Sequence, residues 1–454
     1  MSDSATRMFM KTLGRRIWSE ANDLKRTPEA LAHETGVPLD KVQAVIAGMT
    51  DESIASELIA KMMEIYPISA SRLAVDKDDT KAGVRLMRSA ASKQSSRVFK
   101  RLDKNGGLSP YYEYRDTAMS RMGPFKPEWI QPLRVVANAD PENPNIAYNN
   151  GHLMHQLTFF IGEVNFYWKT EGIAHCAEMN TDDSNYITPY VAHSFASRNP
   201  NKLGLIVAVT YGDQLHQALS ELSQIGPEEA NRLAGDLRDP NCAFRKRLAR
   251  LQAAESLSDK GLLERLVRAG IVRENGERLI SGLAIPNHNE LKLIATALSV
   301  RPTDLQISPL SHEDGVVLQT NGETRAYPDD NRPTCRLTEL ARCHHQPNLK
   351  GFKITVIKGS AEFQHSLHEY VYNYGNAPVA LTWDAEQREI LNQGDSAYIR
   401  PMTSHAYESI PNHGEGHLIV VRAPGLLSDS VFSEYSTYPA EGRARATGED
   451  RTWF

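Results

Sequence analysis

His152 and His193 stand out in this chain because the pattern that contains them is written twice. The first copy reads His152-Leu-Met-His155-Gln156 and runs on to Gly162. The second reads His365-Ser-Leu-His368-Glu369 and runs on to Gly375, 213 residues later. A companion phrase follows each. Ser184-Asn185-Tyr186-Ile187-Thr-Pro189 leads to His193, and Ser396-Ala-Tyr398-Ile399-Arg-Pro401 leads to His405, at an offset of 212. A histidine, an amide or carboxylate four residues on, and a distant second histidine suit one metal ion. Two imidazoles and an oxygen would fill one face of an octahedron and leave the other positions open for substrate and dioxygen.

A single histidine on a strand is more often a core or surface residue than a ligand. Here the whole set recurs at matched spacing, with its Pro and Gly punctuation, and that favours the metal reading. On the residues alone the second copy is the better ligand set, because Glu369 would neutralise one charge of the metal. Gln156 is a neutral amide that binds more weakly and leaves a site more positive. The first copy therefore also reads as a barrel that has lost its metal.

The elements needed to position these residues are strands and short helices. Alternation along a strand puts His152, Met154 and Gln156 on one face, with His193 arriving from a neighbouring strand after the Pro189 turn. Leu205–Tyr211 and Leu418–Val421 are apolar, β-branched runs suited to strands buried between sheets. Gly394-Asp395 marks a tight turn. Residues 10–73 show helical periodicity broken at Gly36 and Gly48, with Thr27 as a cap and Pro28 at the first helical position. Residues 243–305 repeat this plan, with Gly270 and Gly282 each 234 positions after their counterparts and a further break expected at Gly276. Each module has the outline of a helix-turn-helix bundle.

The fold class expected is α+β, a tandem duplication of a helical module and a β-barrel. The divisions are 1–85 helical, 86–213 first barrel, 214–310 linker helix and second helical module, 311–426 second barrel, and 427–454 a polar tail that wraps or frays.

The 454 residues suggest about three domains by length alone. With 41% hydrophobic and 24% charged residues the composition is that of a globular protein, and a net charge of −5 gives no general attraction for nucleic acid or anionic membrane. No apolar run approaches the ~20 residues of a membrane span, and the first residues lack an apolar signal core, so a cytoplasmic protein is expected. Cys176, Cys242, Cys335 and Cys343 lack metal-site spacing and read as reduced thiols. A regulator built from a helix-turn-helix and a sensing barrel is the competing class. Against it, neither Leu39–Ile46 nor Arg273–Arg278 makes a basic stripe or offers many base-reading side chains.

The two phrases, His-x-x-x-(Glu/Gln)-x5-Gly and Pro-x-x-x-His, resemble the motifs of cupin barrels, which are double-stranded β-helices. The run Asn149-Asn150-Gly151-His152-Leu153, with Pro189-x-x-x-His193-Ser194, resembles the 2-hydroxyethylphosphonate dioxygenases and methylphosphonate synthases over nearly the whole chain. In the dioxygenases the metal carboxylate lies six residues before the second His, where this chain has Ile187. In the synthases a Gln four residues after the first His replaces it, as Gln156 does here. The resemblance implies Fe(II) held by His152, Gln156 and His193. It also implies O2-dependent C–C cleavage of 2-hydroxyethylphosphonate to methylphosphonate and carbon dioxide. The alternative is the dioxygenase outcome, hydroxymethylphosphonate and formate.

It further implies a homo-oligomer, a dimer or tetramer, in which Lys25 reaches a neighbouring active site. Tyr114 would face the substrate and Asn149 the phosphonate, with Asn185 a further contact. Lys104 is the nearest cation to an arginine that the family carries upstream of the Tyr cluster. His365, Glu369 and His405 become a vestigial or secondary site.

Overall fold

In this computed structural model residues 3–212, 214–308, 310 and 315–453 are described. The chain alternates between helical and β-rich stretches, as the two periodicities require. Helices Asp3–Asp23, Pro28–Thr35, Leu39–Ile46, Glu52–Ile65 and Ala70–Leu73 come first, and Pro240–Ala254 through Pro302–Leu305 form the second set. Thr27 caps Pro28–Thr35 by accepting from the Ala30 amide, and Gly36 and Gly48 carry positive φ where their helices stop. Each helical set closes on its own apolar core, around Ile17, Leu31, Val42 and Leu58 in the first and Leu248, Leu262, Leu279 and Ile294 in the second.

Gly276 is not a break. It lies inside helix Arg273–Ile280, and a Cβ there would approach Leu263 Cδ1 to 2.8 Å. Its role is close approach to helix Asp259–Arg268.

The strands form four sheets, and all pairings between them are antiparallel. In the first half, strands Phe125–Pro132, Leu205–Tyr211, His155–Ile161 and Ser184–Ile187 lie side by side in a seven-stranded sheet. Val164–Thr170, Ile173–Met179 and Ala192–Ser197 make a three-stranded sheet. The second half repeats this with a seven-stranded and a four-stranded sheet.

Alternation gives the large sheets two apolar faces. Leu157, Phe159, Val207, Val209 and Tyr211 turn toward Tyr370, Tyr398, Ile419 and Val421 of the other half, forming one core shared by both. Phe160, Ile206 and Ala208 turn the other way, into a core with Phe166, Ile187 and Phe195.

The halves also exchange strands. Val84–Met87 pairs with Ser396–Ile399 of the second half, and Val316–Gln319 pairs with Ser184–Ile187 of the first. Nothing in the sequence pattern signals this exchange.

After helices Asp429–Ser436 and Ala440–Thr447 the tail lies along the first helix. Ser19 Oγ donates to the Glu449 carbonyl at 3.0 Å, Arg451 pairs with Glu20 at 2.9 Å, and Trp453 Nε1 donates to Asp23 at 2.8 Å. No helix among the described residues is long and apolar enough to cross a membrane.

Replacing Gly276 with Leu should lower stability by about 1–3 kcal/mol through overpacking while leaving metal content unchanged. Equal denaturant midpoints for the two proteins would refute this account of the glycine.

Candidate metal centre

His152 lies just before strand His155–Ile161 rather than on it, and a loop contact places it. Gly151 (φ +72) packs so closely on Tyr190 that a Cβ would meet the Tyr190 backbone at 2.5 Å. Tyr190, itself at φ +63, donates its amide to the His152 carbonyl at 2.8 Å. Two loops, one before each histidine, are thereby locked backbone to backbone. The imidazole centroids lie 5.2 Å apart, and His193 is buried.

Both rings are oriented from behind. His152 Nδ1 meets the Met154 carbonyl at 2.8 Å, and His193 Nδ1 meets that of Val191 at 2.8 Å. A carbonyl only accepts, so in the neutral ring Nδ1 carries the proton and the Nε2 lone pair faces the cavity. Burial lowers His193 to about 4, with the Val191 carbonyl opposing and His152 adding to the shift, so its imidazole is neutral near pH 7.

Gln156 is fixed as well. Its Nε2 donates to Thr158 Oγ1 at 2.8 Å, which turns Oε1 toward His152 Nε2 at 3.1 Å. Two lone pairs then face each other with no proton between them, an arrangement that a cation relieves. Two imidazole nitrogens and an amide oxygen are a donor set that fits a divalent first-row metal.

Gln156 and Ile187 are direct cross-strand partners. The position that would carry a dioxygenase carboxylate and the position that carries this amide are therefore neighbours on one face, with Cβ atoms about 5 Å apart in such pairs.

The histidines and Gln156 open onto a cavity of about 250 Å³. Tyr114 and Asn149 line it, as the sequence suggests. Asn149 Oδ1 accepts from the His193 amide at 2.8 Å, and its Nδ2 lies 3.1 Å from His193 Nε2. Tyr114 is pushed up to about 12 by burial and by Glu128, which keeps its phenol a donor.

Other expected contacts lie elsewhere. Lys104 is exposed in the turn after strand Arg97–Leu102, outside the cavity lining. Asn185 is fully buried next to Thr158, also outside the lining, and neither atom of its amide has a hydrogen-bond partner among the described residues. Lys25 is not among the residues lining this cavity, and its Nζ lies 3.3 Å from the Trp453 ring centroid.

The cavity's guanidinium belongs to Arg101, which sequence reasoning missed. A register shift opposite Phe99 and Lys100 leaves Tyr111 as an extra residue on strand Leu108–Asp116. Tyr111 and Tyr112 are then both buried and both reach Ser194, at 2.7 and 3.2 Å, and Arg101 lies over both rings. An arginine three residues before Lys104, on the strand itself, was the available signal. Glu128 and Thr210 also line the cavity and were not singled out.

The second half repeats the geometry with a different outcome. His365 Nδ1 and His405 Nδ1 meet carbonyls at 3.0 and 2.9 Å, and both Nε2 atoms reach Glu369, at 2.8 and 3.0 Å. Arg422 Nε donates to Glu369 at 2.6 Å, and the Tyr407 hydroxyl donates to the same carboxylate. Burial alone would raise Glu369, but Arg422 and the imidazoles hold it well below the usual carboxylate range. By register Arg422 stands where the first half has Thr210, and Tyr407 where it has Phe195. A guanidinium thus supplies the positive charge at this carboxylate.

A relative 37% identical over 442 residues, 95% of this chain and 93% of its own length, is the methylphosphonate synthase of Nitrosopumilus maritimus (strain SCM1). The chain belongs to the methylphosphonate synthase and 2-hydroxyethylphosphonate dioxygenase family. A solved structure of the Streptomyces albus dioxygenase with 2-hydroxyethylphosphonate and Fe(II) bound is 31% identical. It superposes with a TM-score of 0.89 over 100% of both chains. A native PhpD structure with cadmium, 19% identical with a TM-score of 0.71 over 96% of this chain and 99% of its own, shares the fold. No family model matches the chain.

Two outcomes test the site. Gly151→Val should separate the two loops and cut iron affinity at least roughly tenfold, as loss of outer-shell support does; unaltered iron titration would refute the loop lock. Arg422→Thr with Tyr407→Phe should give the second half about one added equivalent of divalent metal by elemental analysis. Without metal the exposed pairing defect at Glu369 should cost about 3–5 kcal/mol. Unchanged metal content would show that the guanidinium is not what closes that site.

Proposed function

We propose that this chain is an Fe(II)-dependent oxygenase that converts 2-hydroxyethylphosphonate and O2 to methylphosphonate, carbon dioxide and water. The observation that carries the synthase outcome is the Gln156–Ile187 cross-strand pair: an amide where the ligand set needs an oxygen, and an aliphatic side chain where the other branch has its carboxylate. We read the architecture as a tandem duplication of a helix-turn-helix-like module and a cupin barrel, divided as expected from the sequence.

Iron held by His152, Gln156 and His193 would supply the reduction of dioxygen, with the substrate as the source of electrons. The rest falls to the chain. Arg101 gives the phosphonate a guanidinium, the geometry best matched to such an oxyanion. Tyr114 donates a phenolic hydrogen bond. Asn149 orients His193 and turns an amide N–H toward the cavity. Phe195, Ile130 and Met154 limit water around the reacting carbons. Gln156, being neutral, leaves the metal more positive and keeps the one-carbon fragment close. Lys25 completes the cavity from a neighbouring copy, so the working form is an oligomer. The relative and the cavity chemistry favour this enzyme reading over a DNA-binding regulator.

Phosphorus NMR after anaerobic iron loading, substrate addition and oxygen exposure tests this. Methylphosphonate is expected, with the C2 carbon recovered as carbon dioxide. Hydroxymethylphosphonate and formate would place the chain in the dioxygenase branch. Gln156→Glu should shift the product ratio or abolish turnover, and an unchanged methylphosphonate yield would remove Gln156 from product control.

A further inference from the structure

The cavity contains a carboxylate that this chain does not neutralise. Glu128 sits on strand Phe125–Pro132, where alternation points it and Ile130 into the cavity and sends Trp129 to the shared core. Among the described residues its side chain has no hydrogen bond or ion pair, while its backbone pairs in the sheet. The charged neighbours are otherwise engaged: Arg97 pairs with Asp116 at 2.8 Å, Arg101 donates to the Ala147 carbonyl, and Lys126 is exposed. Burial raises the Glu128 carboxyl, Arg97 opposes this, and Asp116 adds to it. A bare carboxylate here would repel a doubly charged phosphonate, so substrate binding calls for a cation beside it.

Lys25 is the complementary case. It occupies a fixed corner, with φ +59 and its amide donating to the Asn22 carbonyl at 2.9 Å. Its ammonium touches the Asp23 carbonyl at 3.4 Å and the Trp453 ring, and among the described residues it meets no carboxylate. Held on Trp453, it is not in its own cavity.

We propose that Glu128 is the receiving group for Lys25 of a second copy of this chain, and that this ion pair positions the lysine against the substrate. The inference rests on the reading that Lys25 acts between copies. Glu128 is then a positioning residue, acting through the lysine, and it removes the carboxylate's repulsion only in the assembled oligomer.

The test uses full-length, iron-loaded protein. Substrate Kd is measured anaerobically, so that no turnover occurs, and steady-state turnover is measured separately. Glu128→Gln and Lys25→Met should each weaken binding roughly tenfold or more, and the double variant should be little worse than the weaker single, as expected for coupled partners. Hetero-oligomers of a Lys25→Met chain and a Glu128→Gln chain should regain turnover, because one cavity then has both groups.

A Lys25→Met protein that binds as well as wild type would overturn both the inter-copy reading and this proposal. Rescue of Lys25→Met by mixing, beside a Glu128→Gln protein with unchanged Kd, would overturn only the role of Glu128. Additive losses in the double variant would also overturn it, and would instead make Glu128 a protonated donor to the phosphonate. If Glu128→Gln fails to load iron, Glu128→Asp replaces it in the cycle, and coupling to Lys25 is still required.

Discussion

Strand His155–Ile161 is buried on both faces, and the rest of the molecule is arranged around that constraint. Its odd-numbered residues, Leu157 and Phe159, lie in the core that joins the two halves. Its even-numbered residues include Gln156, the candidate oxygen ligand, and Thr158, whose hydroxyl orients it. With a side-chain period of two, a shift by one residue would send Leu157 toward the metal and Gln156 into a core of tyrosines. The apolar packing between the halves therefore fixes the register of the ligand. The exchanged strands hold that register from outside, since Val316–Gln319 pairs with the very strand that carries Ile187.

The two halves carry two copies of one His, Gln or Glu, His arrangement, and a few side chains set them apart. Both copies share the loop lock, with Tyr190 and Met402 at positive φ donating to the carbonyls of His152 and His365. Both hold their imidazoles by Nδ1 contacts to a carbonyl. What differs is the charge facing the oxygen ligand. In the second copy Arg422 and Tyr407 satisfy a buried carboxylate. In the first, Thr210 and Phe195 leave a neutral amide beside an open cavity. A buried charge must be paired, so the carboxylate that looks like the better ligand in sequence is the one already occupied.

A neutral amide would leave a bound cation's charge less compensated, and the cavity adds one guanidinium, Arg101, and one carboxylate, Glu128. On the proposed function, that balance suits a small dianion, with a cation from a second copy beside Glu128.

Much was legible in the sequence because it rests on local rules. The repeat of His, Gln or Glu, Gly, Pro and His positions, the glycines that end helices, and the β-branched runs all follow from backbone geometry and periodicity, and they picked out both repeated His clusters and both helical sets. Other features depend on which segments meet in space. The bulge at Tyr111 that brings Arg101 rather than Lys104 to the cavity, the packing role of Gly276, the strand exchange and the Arg422–Glu369 pair join residues far apart in the chain or turn on one residue of register. The sequence by itself determined which residues could bind a metal and how far apart they stand in each copy. Only the tertiary structure decided which copy leaves its oxygen donor facing an open cavity, because that depends on a neighbouring strand placing a threonine or an arginine against it.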